Sequence, residues 1–287
     1  MNKAVRRTAS IISRRTFIVM ALAIASTYVC LTYNISADFP LTLMSTAVIF
    51  PIVFSIGGAY KRREAALDQY GAIKAHGKSI FYAARDWPEN PSPVALQNIR
   101  EELVTLLGAC RTLFTSPKNE MDEHERAVYA SFSKLSRLIR VELRERGLAS
   151  GEVSRCNQFL SKMLGSFERV KHVFQYRTPR TLRAFSDVFI TLLPALYGPY
   201  FAAAAADYSS PALAYVLPIL FAFVLTSLDN IQIHLENPFD QIGEDDVIIN
   251  VEKFDQRLQA QSLVAFAQAD TDMKSSAGQS SAGQKTA

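Results

Sequence analysis

Three consecutive carboxylates, Glu244, Asp245 and Asp246, are the residues whose chemistry stands out first, in the segment ENPFDQIGEDD. Clustered carboxylate oxygens suit a hard cation such as Ca²⁺, although the spacing is not that of an EF-hand loop. Two other interpretations stay open. The run can be a solvated acidic loop whose repulsion is screened by salt. It can also pair with basic residues of a neighbouring subunit or of the N-terminal lead, such as Arg6 or Arg7.

A second candidate group combines a hydroxyl with two aromatic rings. Thr46, Phe50 and Phe54 recur every four residues, which places them on one side of a helix. Hydroxyls and apolar rings can line a water-filled pore. The same pattern is also typical of a helix face that packs against neighbours or faces lipid. Gly57 and Gly58 follow, and small residues there allow helices to approach closely.

Signatures of catalysis are absent from the sequence. The four histidines are isolated, and the chain has no phosphate-binding loop, no H-E-x-x-H and no nucleophile elbow. We therefore expect a protein that is not an enzyme and requires no cofactor. The formal net charge of +4 over 287 residues is too small to indicate a nucleic-acid partner.

Four stretches without a charged residue must position these candidates. They lie between Arg15 and Asp38, Asp38 and Lys61, Asp187 and Asp207, and Asp207 and Asp229. Each is close to the ~20 residues that a helix needs to cross hydrocarbon. Because lipid leaves backbone groups no other partner, such stretches form helices. The sequence predicts an all-α polytopic membrane protein with four transmembrane helices, arranged 2 + 2 around a helical cytosolic insert.

The predicted organisation has six parts along the chain. They are a basic lead at 1–15, a transmembrane hairpin at 16–60, a cytosolic helical region at 61–182, a second hairpin at 183–229, an acidic and helical cytosolic segment at 230–268, and a disordered tail at 269–287. Basic clusters before the first span, after the second and before the third place both termini in the cytoplasm. We expect the cell membrane as the host.

Glycine and proline predict where the helices end. The second span should continue as one helix past Lys61 to Trp87, because no proline follows Pro51 until residue 88. A helix at 119–146 should end at Gly147 and Gly151. Prolines inside the third and fourth spans should kink them.

Three motifs resemble the bestrophins, a family of membrane ion channels. FSIGGAYKRREAALDQYG at 54–71 is similar to the exit of the family's second span, and RTLRAFSDVFITLLP at 180–194 to the basic entry of its third. ENPFDQIGEDDV at 236–247 resembles the Pro-Phe and acidic motif after its fourth span. Arg63 and Glu64 depart from the family, which usually has tryptophan at these places.

The resemblance implies passive conduction of chloride or other small ions by a homopentamer around one axial pore. The family's apolar neck maps to Thr46, Phe50 and Phe54, and a second, cytosolic constriction to Val170. Calcium control stays open, because only some members bind Ca²⁺ near the acidic motif. The rival hypotheses are a cation-selective channel of the same kind and a non-conducting membrane scaffold whose cytosolic helices bind a partner.

Overall fold

The computed structural model describes residues 12–38, 40–176, 180–205, 211–239 and 246–262, and the regular structure within these ranges is helical. The helices are α1 (Arg14–Thr32), α2 (Leu41–Asp86), α3 (Pro93–Thr115), α4 (Met121–Leu138), α5 (Ser150–Gln175), α6 (Arg180–Leu196), α7 (Gly198–Ala205), α8 (Val216–Glu236) and α9 (251–262). Short 3₁₀ turns precede α4 and α8, and a π-helical turn, Ile139–Leu143, extends α4.

The chain forms two compact units, each described below by itself. The first combines Met1–Leu67 with His172–Val247, and the second combines Asp68–Lys171 with Ile248–Ala287. The boundary between them falls inside α2, which runs unbroken across it. The predicted continuity of the second span past Lys61 is therefore confirmed.

The first unit carries the membrane-spanning helices. Three described segments are long and apolar enough to cross a bilayer, namely Arg14–Thr32, Thr181–Ala205 and Ala212–Glu236. The predicted second span corresponds to the first part of α2. The side chains at positions 41, 43 and 44 of this part are not among those that the structure describes. The fourth span continues helically to Glu236, beyond the predicted end at Asp229.

The core of the first unit lies between α2, α6, α7 and α8. Val48 and Ile52 of α2 pack there against buried apolar side chains of these helices and of the junction between α6 and α7, which are Ile190, Leu193, Tyr197, Phe201 and Leu225. A smaller cluster of Val19, Ala23 and Ala222 joins α1 to α8. Packing of small side chains is typical of helix association in lipid, because it lets the backbones come close.

The third span is broken where the sequence predicts a kink. It divides at Tyr197 into α6 and α7. Pro199 has no N–H to donate to the carbonyl of Ala195 four residues earlier. The Ser26 hydroxyl of α1 donates to that carbonyl instead, with an oxygen–oxygen distance of 2.6 Å. The close approach requires Gly198, since a Cβ there would lie 2.2 Å from Ser26 Oγ.

The second unit is a helical bundle whose helix ends follow the sequence signals. Ser92 caps α3 by accepting a hydrogen bond from the Ala95 N–H at 3.4 Å, and Pro93 occupies the first turn. Gly147 has φ +88°, which explains why the chain turns there. The prediction that Gly151 also ends this helix is wrong, because Gly151 lies in the first turn of α5.

Aromatic rings and leucines form the core of the second unit. The Phe167 ring lies 6.0 Å from Phe114, 5.9 Å from Tyr129 and 5.8 Å from Phe132 between ring centroids. The apolar stripe of α3 is buried as well, at Leu103, Leu106, Leu107 and Cys110. Asn98 of α3 donates to Glu142 just beyond α4, which shows that α3 and α4 run antiparallel.

Candidate functional site

The first part of α2 presents two different faces. Val48, Ile52 and Ala59 are buried within the chain. The predicted neck residues lie on the other side, where the Phe50 side chain is 60% exposed and the Phe54 side chain 64%. The positions predicted from the four-residue period therefore share one face, and the described residues leave that face exposed.

The rings on this face touch each other. The Phe50 and Phe54 ring centroids are 4.5 Å apart, with an interplanar angle of 65°, so the edge of one ring meets the face of the other. Thr46 completes the row one turn earlier. Its hydroxyl donates a hydrogen bond to the Thr42 carbonyl at 2.7 Å, so the hydroxyl proton is engaged within the helix. The oxygen of Thr46 can then act toward other groups only as a hydrogen-bond acceptor.

Exposure alone does not distinguish a pore face from a lipid face. On α6, Phe185 and Phe189 form a second pair one turn apart, with centroids 4.4 Å apart and both side chains 38% exposed. A transmembrane helix in lipid normally exposes such side chains. The α2 pair differs from the α6 pair because it lies in a row with the Thr46 hydroxyl and with Gly57. A Cβ added at Gly57 would meet no atom of the described residues within 4 Å.

An ion-pair network joins three spans in the first unit. The Arg15 guanidinium donates to Asp187 Oδ1 at 2.6 Å and to Asp229 Oδ2 at 2.9 Å. Its second nitrogen donates to the Asp187 carbonyl at 2.7 Å and to the Thr191 hydroxyl at 2.8 Å. The Asp229 side chain is 5% exposed, so it depends on Arg15 for its compensating charge. The network ties α1, α6 and α8 together.

Comparison with solved structures finds the same architecture in proteins of distant sequence. A single-residue variant of a bacterial bestrophin homologue from Klebsiella pneumoniae matches with a TM-score of 0.68 and 17% identity, covering 85% of this chain and 98% of that one. A second crystal structure of a bestrophin homologue from that bacterium gives 0.69 and 16%, covering 86% and 97%. The chain has the bestrophin fold.

This match confirms, at the level of the fold, the bestrophin resemblance of the three motifs, and it agrees with the helical membrane architecture predicted from the uncharged apolar stretches. A crystal structure described as that of a membrane protein agrees as well, with a TM-score of 0.69, 16% identity and coverage of 87% of this chain and 99% of that one. No protein-family model and no curated protein sequence matches the chain. The bestrophin fold together with the three apolar spans makes this an integral membrane protein.

The bestrophin resemblance assigns the cytosolic constriction to Val170, and this residue is 1% exposed within the single chain. The apolar stripe of α5 that includes Val170 is buried in the chain's own packing. The assignment of the constriction to Val170 stays a prediction.

The acidic run lies mostly outside the described residues, which exclude Glu244 and Asp245. Asp246 is described and half-buried. The chain returns close by, because the Val247 N–H donates to the Pro238 carbonyl at 2.7 Å. Among the described residues, no group of three or more His, Cys, Asp or Glu side chains is placed to hold a metal ion. The calcium hypothesis stays a prediction.

Proposed function

We propose that the protein is a channel that conducts chloride and similar anions passively, through a pore lined by α2. The observation that carries this proposal is the division of α2 into two faces. One face packs in the core of its own chain, and the other presents Thr46, Phe50 and Phe54 away from it. A row of rings one turn apart fits a narrow apolar neck, and the described residues of the chain leave this row uncovered.

A single α2 helix cannot enclose a pore, so the proposal requires several copies around an axis. The bestrophin resemblance implies five. Each copy would contribute one Thr46 and one Phe50–Phe54 pair to stacked rings of side chains. Both termini would be cytoplasmic, by the distribution of basic residues, and the host would be the cell membrane.

The mechanism proposed is a dehydrated constriction. Apolar rings around a narrow neck favour loss of water when the pore is closed, and admit weakly hydrated ions when it widens. Phenylalanine presents a positive edge and a negative face. Rings that turn their edges inward favour anions, whereas rings that turn their faces inward favour cations. Because the planes of Phe50 and Phe54 are inclined by 65°, the two rings of one chain cannot both turn their faces toward the pore axis, whereas both can turn their edges toward it.

Planar-bilayer recording of the purified protein in asymmetric chloride tests the proposal. We expect single-channel currents that reverse near the chloride equilibrium potential. Reversal near the cation potential would replace the anion channel with a cation-selective one. Absence of current from protein that is folded and monomeric or dimeric by light scattering would favour the scaffold hypothesis instead.

A further inference from the structure

A strongly basic cavity in the second unit lies between α2 and α9. Four cationic side chains line it, two from each helix: Lys74 and Lys78 of α2, and Lys253 and Arg257 of α9. The cavity has a volume of about 360 Å³, which is within the range of about 300 to 1,000 Å³ typical of small-ligand sites. No carboxylate belongs to the described residues that line it.

The acidic residues of α9 are engaged elsewhere. Glu252 accepts a hydrogen bond from Arg111 of α3 at 2.6 Å, and Asp255 pairs with Arg100 of α3 at 3.3 Å. Helix α9 thus turns its carboxylates toward α3 and its cations toward the cavity. The four cavity cations form no ion pair within the described part of the chain. Like charges gathered without a counter-ion repel one another, so a bound anion would relieve the repulsion.

Two further features favour an anion there. Helix α9 begins at this cavity, where Asn250 caps it by accepting from the Lys253 N–H at 2.7 Å. The start of a helix carries partial positive charge. The Lys74 ammonium lies 4.1 Å from the centroid of the Tyr70 ring. Burial, and then the nearby charges of Lys78, Arg257 and Lys253, lower the pKa of Lys74 from its ordinary value.

We infer that this cavity is a binding site for a compact, multiply charged phosphoryl ligand, either a free oligophosphate or the phosphorylated headgroup of a lipid. Four cations facing one small volume exceed what a single chloride or sulfate needs. They suit neighbouring phosphoryl groups, each of which can accept charge-assisted hydrogen bonds from Lys and Arg. The cavity residues belong to the second unit, whereas Thr46, Phe50 and Phe54 belong to the first. The binding test does not depend on conduction.

Calorimetric titration of the purified full-length protein tests the inference. We expect saturable binding of sodium tripolyphosphate or of inositol trisphosphate, and none of sulfate at the same ionic strength, which must be matched because salt screens exposed charges. Whichever of the two binds more tightly identifies the source as free oligophosphate or headgroup. Equal binding of sulfate, or no binding of either phosphoryl ligand, would overturn the proposal.

A pair of double variants locates the site. Lys253→Gln with Arg257→Gln should weaken the affinity at least about tenfold, since each charged hydrogen bond contributes substantially. The matched control is Lys134→Gln with Arg137→Gln, which removes the same two charges from a cavity that also contains Glu102 and Glu142. Lys253 and Arg257 are both exposed, so an unchanged unfolding midpoint is expected. Equal affinities of the two double variants would contradict the assignment. Dissociation of the oligomer in the first variant alone would assign the cations to contact between copies instead.

Discussion

Phe50 and Phe54 meet edge to face on the exposed side of α2, with their ring centroids 4.5 Å apart. Because the contact is within one chain, turning one ring changes the aspect that the other can adopt. The two side chains therefore act as one unit in any neck that they form. Replacing them together is the informative experiment, since a single replacement would leave the remaining ring free to reorient.

Replacing Phe50 and Phe54 with Ala should widen the proposed neck and raise conductance or leak, because the change removes the rings that exclude water. Single-channel recording measures the effect. The control is the double variant Phe185→Ala and Phe189→Ala, which removes the other exposed ring pair, on α6. If both double variants conduct like the parent, neither pair narrows the pore, and equal increases in both would mean that loosened packing is responsible.

Arg15→Met should destabilise the first unit by about 2–4 kcal/mol, because it leaves the buried Asp229 carboxylate without its counter-charge. Thermal unfolding in detergent measures this as a lower midpoint. Arg14→Met is the control, since Arg14 is exposed and its loss removes the same charge from the N-terminal lead. A similar shift in both variants would attribute the effect to the lead's net charge, not to the network.

Gly198→Ala should destabilise the same unit by about 1–3 kcal/mol, because the added methyl would overlap Ser26 and force the helices apart. In contrast, Gly165→Ala places its methyl in open space inside α5 and should stabilise by about 0.5–1 kcal/mol through helix propensity. The two unfolding midpoints should move in opposite directions. A neutral Gly198 variant would show that α1 can shift without loss.

Lys171 organises a polar cluster in the second unit, and its removal should have a defined pH dependence. Its ammonium donates to Glu125 at 2.9 Å and to the Tyr129 hydroxyl at 2.6 Å, and it pairs with Glu168 at 2.7 Å. Burial alone raises the pKa of Glu168, but hydrogen bonds from Lys171 and Tyr129 outweigh it and hold that pKa below the ordinary value of 4.5. The stability that Glu168 contributes is therefore present above pH 4.5 and lost as the pH falls further.

Lys171→Met should accordingly lower the free energy of unfolding by about 1–2 kcal/mol at pH 7, a value reduced by the partial exposure of Glu168. The difference from the parent should shrink below pH 4.5. Lys162→Met, on the same helix and exposed, is the control and should change little at either pH. If the difference in unfolding free energy between Lys171→Met and the parent stays constant with pH, the effect comes from packing of the aliphatic part of the lysine side chain.

Local signals were sufficient to predict two helix ends. The prolines after Trp87 and the glycine at 147 act within a few residues, so the sequence displays them directly. Gly151 was misassigned because glycine is also tolerated in the first turn of a helix. The shared face of Thr46, Phe50 and Phe54 was predicted by the same means, since a period of four residues determines which side chains share a side of α2.

Pairings between distant residues were not predictable in this way. Arg15 and Asp229 are 214 positions apart, and each was interpreted only as a charge bounding an apolar stretch. The basic cavity was missed for the same reason, because Lys74 and Lys253 come together only when α9 folds back on α2. The role of Val170 comes from the bestrophin resemblance and stays a prediction, since an apolar stripe gives the same period whether it faces a pore or a core.

The hydrogen bond from Ser26 to the Ala195 carbonyl has a consequence for biogenesis. The donor lies in the first span and the acceptor in the third, 169 residues later. During synthesis, the first span with Ser26 therefore enters the membrane before the third span with the Ala195 carbonyl. When the third span enters the lipid, its orphaned carbonyl can be satisfied at once by a helix already inserted. A chain in which the second hairpin were synthesised first would have to hold that carbonyl unpaired in hydrocarbon until α1 arrived.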